Sequence, residues 1–166
     1  MTNKTKLPPL YFSYNQFTVF DRKMDEVLRK YIIELSGEHL KQGFGRTDSI
    51  VVFRSIIDHG WADVFVVDSL FVREARHLRA ISVPFSAVSG VLTIDSPDDM
   101  RSKREWSIDP GNYYMTVAQS LIEEKEIIEL FFEKTENLPQ RSQVIVCDGD
   151  LTPPARLLET INLIPS

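Results

Sequence analysis

Three histidines, one cysteine and two aspartate-rich stretches are the residues from which this chain would build a reactive centre. His39, His59 and His77 stand at no metal-ligand spacing from one another or from Cys147. No phosphate-binding glycine loop, dinucleotide fingerprint or strand-turn-helix nucleophile motif occurs. A Ser/His/Asp triad assembles in space and leaves no spacing to read, yet with every local motif missing the chain reads as a non-enzyme. Cys147 closes an apolar run over 143–147 and reads as a buried small hydrophobe rather than a nucleophile. The other candidates are oxygen donors. Asp95, Asp98 and Asp99 in one stretch, with Asp148 and Asp150 in another, would suit a hard cation such as calcium. That makes a metal- or ligand-binding β-sandwich module the alternative reading. Against it, the twelve-position calcium loop is absent, and aspartate in such stretches commonly bonds its own backbone in a turn. No cofactor is expected.

Charge points away from nucleic acid. The net charge is −5; residues 1–120 balance 15 cations against 15 anions, while 121–166 hold 4 against 9. Phosphate contacts need cations, so an acidic end is a poor direct binder of DNA. It suits either a basic protein partner or plain solvation of an exposed face. Two basic clusters, Arg73/Arg76/Arg79 and Arg101/Lys103/Arg104, lack the interleaved aromatics of single-strand binders. Glu74, Glu105, Asp98 and Asp99 beside them point to internal ion pairing. A lone cysteine forms no intramolecular disulfide, no apolar run approaches the ~20 residues of a membrane span, and no signal peptide is read. A cytoplasmic protein is expected.

The elements that must position these residues are mostly strands. The decade YFSYNQFTVF (11–20) is β-branched and aromatic without Gly or Pro, and reads as one inner strand with rings on both faces. Met24, Val27, Leu28, Tyr31, Ile32 and Leu35 then recur with helical period behind Asp21 as N-cap. A second short helix is expected over 38–42, ended by Gly43. Two hairpins and a type II turn follow. Residues 50–57 and 61–67 flank Asp58-His59-Gly60, 79–85 and 91–95 flank Ser89-Gly90, and Asp109-Pro110-Gly111-Asn112 joins 106–108 to 113–119. Pro84 limits the second, because proline belongs at sheet edges or bulges. Residues 121–135 fit either period, and alternating charge from Glu129 favours a strand. The expected architecture is mainly β: a β-sandwich of antiparallel strands with an inserted helical segment near residues 22–42. A tail covers 1–9 and a single domain 10–166.

Four pieces in order carry a resemblance. Ser13-Tyr14-Asn15-Gln16-Phe17-Thr18-Val19-Phe20 resembles the "SYxQFTVF" start of the competence protein J (ComJ) family, inhibitors of the bacterial DNA-uptake nuclease. Gln42-Gly43-Phe44 is similar to its glycine-aromatic step, Val83-Pro84-Phe85 to its "VPF", and Ile108 to Tyr113 to its Pro-and-Gly turn before tyrosine. In this chain Gly111 directly follows Pro110, the helix behind Asp21 reads as longer, and the acidic end beyond Ser120 as extended. The similarity covers roughly residues 10–120. It implies a non-catalytic inhibitor or immunity-like protein whose partner is a nuclease. Blocking would need carboxylates that occupy the partner's phosphate site, and Glu123, Glu124, Glu126, Glu129 and Glu133 are the expected partner-binding group.

Overall fold

The computed structural model describes residues 3–97 and 104–166. The aromatic decade is two strands in two different sheets. β1 (Asn3–Phe12) ends at a bend over Ser13-Tyr14-Asn15, and β2 (Gln16–Asp21) leaves in the other sheet. Asn15 turns the chain at φ 56, in the left-handed region that asparagine tolerates better than most residues. Its N–H donates to Asp58 O and its carbonyl accepts from Ser55 N–H. The bend also shifts the alternation by one residue. Phe12 from one expected row joins Phe17 and Val19 from the other, and all three are fully buried in one core. The expectation of a single inner strand is therefore corrected.

β1 is the edge of a six-stranded sheet of order β1–β6–β11–β10–β7–β12. Its further strands are β6 (Gly60–Asp68), β7 (Arg79–Ala87), β10 (Gly111–Ile122), β11 (Lys125–Thr135) and β12 (Gln143–Val146). The facing sheet has the order β4–β5–β2–β8–β9, with β4 (Phe44–Arg46), β5 (Ile50–Arg54), β8 (Val91–Asp95) and β9 (Glu105–Ser107). The two sheets enclose one apolar core, so the mainly β sandwich stands. Among the described residues all strand pairings are antiparallel except β6 with β11, which is parallel.

The two expected hairpins and the expected turn after 106–108 are corners between sheets. β5 and β6, β7 and β8, and β9 and β10 are neighbours in sequence but lie in opposite sheets. Gly90 shows what such a corner demands. Its φ is 78, and a Cβ there would meet Ile108 O at 2.7 Å. Consecutive strands do pair as hairpins at β4–β5, joined by residues 47–49, and at β10–β11, paired from Asn112↔Thr135 to Ile122↔Lys125. Residues 121–135 are thus a strand over most of their length. Pro84 lies opposite Tyr114 and beyond the reach of β12, which pairs only with Ala80, Ile81 and Ser82. Its missing N–H costs nothing on that open side.

The long helix is also corrected. Asp21 does cap, its carboxylate accepting from Lys23 N–H and from Ser89 N–H. Behind it stand a 3₁₀ turn (Arg22–Met24) and α1 (Asp25–Lys30), and then the chain turns to β3 (Tyr31–Glu34). Tyr31, Ile32 and Ile33 favour an extended backbone, and β13 (Asn162–Pro165) supplies the ladder that a short helix lacks. α2 (Gly37–Gln42) forms as expected, capped by Ser36 and ended by Gly43 at φ 90. Among the described residues no helix is long and apolar enough to cross a membrane.

Residues 3–9, read from the sequence as tail, pair with β6 from Asn3↔Asp68 onward. Pro8 and Pro9 sit in a bulge between Leu7 and Leu10, which an edge strand permits. Arg104 is buried behind it and donates to both Pro8 O and Pro9 O. Replacing Arg104 with Met should leave those carbonyls without their donor and lower unfolding free energy by about 2–4 kcal/mol in urea titration. A change below about 0.5 kcal/mol would show that the bulge is held by other means.

Candidate functional site

The five glutamates expected to meet a partner are distributed by the alternation of β11 and its turn. Glu123 and Glu124 form the tip of the β10–β11 hairpin and are exposed. Both lie in the left-handed region, at φ 51 and φ 66, with Ile122 paired to Lys125 across them. This is a type I′ turn, for which Asn-Gly is the favoured pair. Two glutamates in that conformation cost about 1–2 kcal/mol each by general sterics. Glu126 points inward and is fully buried. It accepts from Ile56 N–H (2.7 Å), Ile57 N–H (3.0 Å) and Gln119 Nε2 (2.9 Å). Burial pushes its carboxyl above the usual range, with these donors working against the shift.

Glu129 points to the opposite face and is buried under the loop before β7. Arg76 grips it through two nitrogens, Lys4 Nζ reaches it at 2.7 Å, and His77 Nε2 lies at 3.3 Å. His77 Nδ1 accepts from Glu74 N–H, which leaves Nε2 to donate to Glu129. Burial alone would raise the Glu129 carboxyl, but the Arg76 guanidinium and the Lys4 ammonium outweigh it and hold it at about 2. Glu133 is exposed toward the other end of β11, nine residues or roughly 30 Å from Glu124. Only Glu123 and Glu124 are exposed side by side.

What surrounds that tip was missed in the sequence. Tyr11 and Trp61 are cross-strand partners on the outer face, with ring centroids 5.3 Å apart. Ala62 opposite Glu126 brings the foot of β11 beside Trp61, and Lys125 opposite Ile122 continues the row. Trp61 is 54% exposed, Ile122 57%, and Tyr14 in the neighbouring bend 67%. Lys125 and Lys6 share the one carboxylate of Asp63, at 2.9 and 3.7 Å. Asp58, also exposed, lies on the adjoining loop. The available signal was Trp61 standing on the same strand face as Asp63.

Beneath this end lies a buried polar clamp. Arg79, fully buried, makes a two-pronged pair with Asp148 at 2.8 and 2.9 Å. Its Nη1 donates to Arg54 O at 2.8 Å, and Gln119 Nε2 shares that carbonyl at 3.0 Å. Glu126 ties the hairpin to residues 56 and 57, so the tip stands on a braced loop.

The remaining candidates take structural places. Asp148 is engaged by Arg79, Asp150 is exposed on the following loop, and Asp95 ends β8. Asp98, Asp99, Arg101 and Lys103 lie outside the described residues. Among the described residues no group of three His, Cys, Asp or Glu side chains could hold a metal ion. His39 caps α2 through Ser36 and bonds Thr160 O, and His59 is exposed beside Asp58. Cys147, expected to be buried, is exposed. Partial desolvation and the adjacent Asp148 push its thiol up, away from the thiolate a nucleophile needs. Its strand ends one residue earlier, at Val146.

The Glu129 cluster makes a pH prediction. Its folded carboxyl titrates near 2 against an ordinary 4.5. The stability it supplies is therefore complete above about pH 4.5 and drains away as pH falls toward 2. With Arg76 and Lys4 partly solvated, that share is about 2–3 kcal/mol. Glu129→Gln should flatten the acid limb of unfolding free energy against pH. Acid limbs parallel to the wild type would contradict the assignment.

Residues 9–138 match the competence protein J (ComJ) family. The crystal structure of ComJ from Bacillus subtilis, inhibitor of the DNA degrading activity of NucA, is similar in fold. It is 18% identical, with 81% of this chain and 99% of that one covered and a TM-score of 0.67. A second solved structure, crocagin biosynthetic gene J, is 13% identical over the same shares at a TM-score of 0.49. No protein of curated function matches the sequence. The family's span begins in β1 and ends in the loop after β11, so β12 and β13 lie beyond it. With the match extending over most of its length, the chain belongs to the ComJ family.

Proposed function

We propose that this protein is a non-catalytic inhibitor that binds a bacterial nuclease and keeps DNA from its active site. The family match over residues 9–138 carries this reading, supported by a relative of the same fold described as an inhibitor of DNA degradation by NucA. The exposed chemistry agrees with it. A nuclease binds DNA through cations that meet phosphates, and a rigid surface bearing carboxylates competes for those cations without making or breaking a bond. The fields of such partners are of opposite sign, which speeds encounter and makes it sensitive to salt.

The test is DNA cleavage by NucA, and by the related nucleases of the protein's own source, with and without the purified chain. Stoichiometric inhibition of at least one enzyme is expected, relieved by excess DNA and weakened as salt rises. Cleavage unchanged at a large excess of the chain over every nuclease tested would overturn the proposal.

A further inference from the structure

We infer that the end of the sandwich formed by Tyr11, Tyr14, Trp61, Ile122, Glu123 and Glu124 is the surface that grips the nuclease, and that it fits a cationic, phosphate-binding recess. This rests on the inhibitor reading above and names the contact it requires. The first support is a row of outward-facing rings and aliphatic side chains, half-buried at Tyr11 and exposed at Tyr14, Trp61 and Ile122. Tyr11 and Trp61 meet in a tilted ring contact across β1 and β6, and Ile122 extends the row to the hairpin tip. Tryptophan and tyrosine are enriched among the few residues that dominate binding energy at dissected protein interfaces, because each buries a large rigid area at little entropic cost.

Charge selects the occupant. Glu123 and Glu124 stand at the tip and Asp58 beside them, and with Asp63 these four carboxylates face only the two lysines that share Asp63, Lys6 and Lys125. The surplus is negative. A nucleic acid would be repelled, and a second copy of this chain would have to bring two such tips together across a twofold axis. A protein recess built to hold phosphates, with basic walls, accepts both the carboxylates and the planar rings. Braced by Glu126 and by the clamp of Arg79 with Asp148, the surface is already in its binding shape and spends little on ordering.

The hairpin allows a test that separates binding from folding. The pair Glu123→Asn with Glu124→Gly puts the preferred residues into the type I′ turn and removes both charges. This variant should melt about 4 °C higher than the wild type and yet inhibit about tenfold less well, with a shallower salt dependence. Trp61→Ala should weaken inhibition by about tenfold or more, whereas Glu136→Lys, beyond the far end of β11, should leave it unchanged. Wild-type inhibition matched by both tip and Trp61 variants would overturn the surface while sparing the inhibitor reading. A wild-type chain that inhibits no nuclease would overturn both.

Discussion

The fold turns on a guanidinium that has no water to retreat to. Arg79 opens β7 with its side chain entirely buried, and such a group is tolerated only where carboxylate and carbonyl oxygens surround it. Asp148 supplies two, the end of β5 supplies Arg54 O, and Gln119 completes the link to Glu126. One side chain thereby fixes where the two sheets meet, where the chain beyond β12 must lie, and how the β10–β11 hairpin stands over the loop before β6. The exposed aromatic and acidic end is rigid because of what is buried below it.

The strands themselves were legible. Ala62, Val64 and Val66 enter the main core, while Phe65 and Val67 serve a smaller cluster on the outer face, as period-two alternation implies. Their partners were not. A turn signal such as Asp58-His59-Gly60 or Asp109-Pro110-Gly111-Asn112 reverses the chain equally well into the same sheet or the opposite one. The break in the aromatic decade was marked by Asn15 alone, with no Gly or Pro to announce it. Residues 31–34 satisfied a helical stripe and a strand at once, and only β13, some 130 residues later, decides between them. The quoted family motifs lie largely where these choices are made. Ser13 to Phe20 spans the first crossing between sheets, and Ile108 to Tyr113 spans a later one.

The surroundings of the candidate site were half legible. The hairpin tip was named through Glu123 and Glu124, but Glu126 and Glu129 were misplaced on the surface because their partners are remote in sequence. Arg76 is 53 residues from Glu129 and Lys4 is 125. No local spacing reports such a pair. The aromatic row was hidden for a different reason: a tryptophan in a strand reads as core by default, and only strand order reveals that Trp61 lies near a sheet edge on the solvent side.

The most direct measurement is hydrogen exchange of the protein alone and in complex with the nuclease it inhibits. Slowed exchange should be confined to residues 11–15, 56–61 and 121–125. Protection confined instead to the loop over Glu129 or to the β3–β13 ribbon would contradict the account.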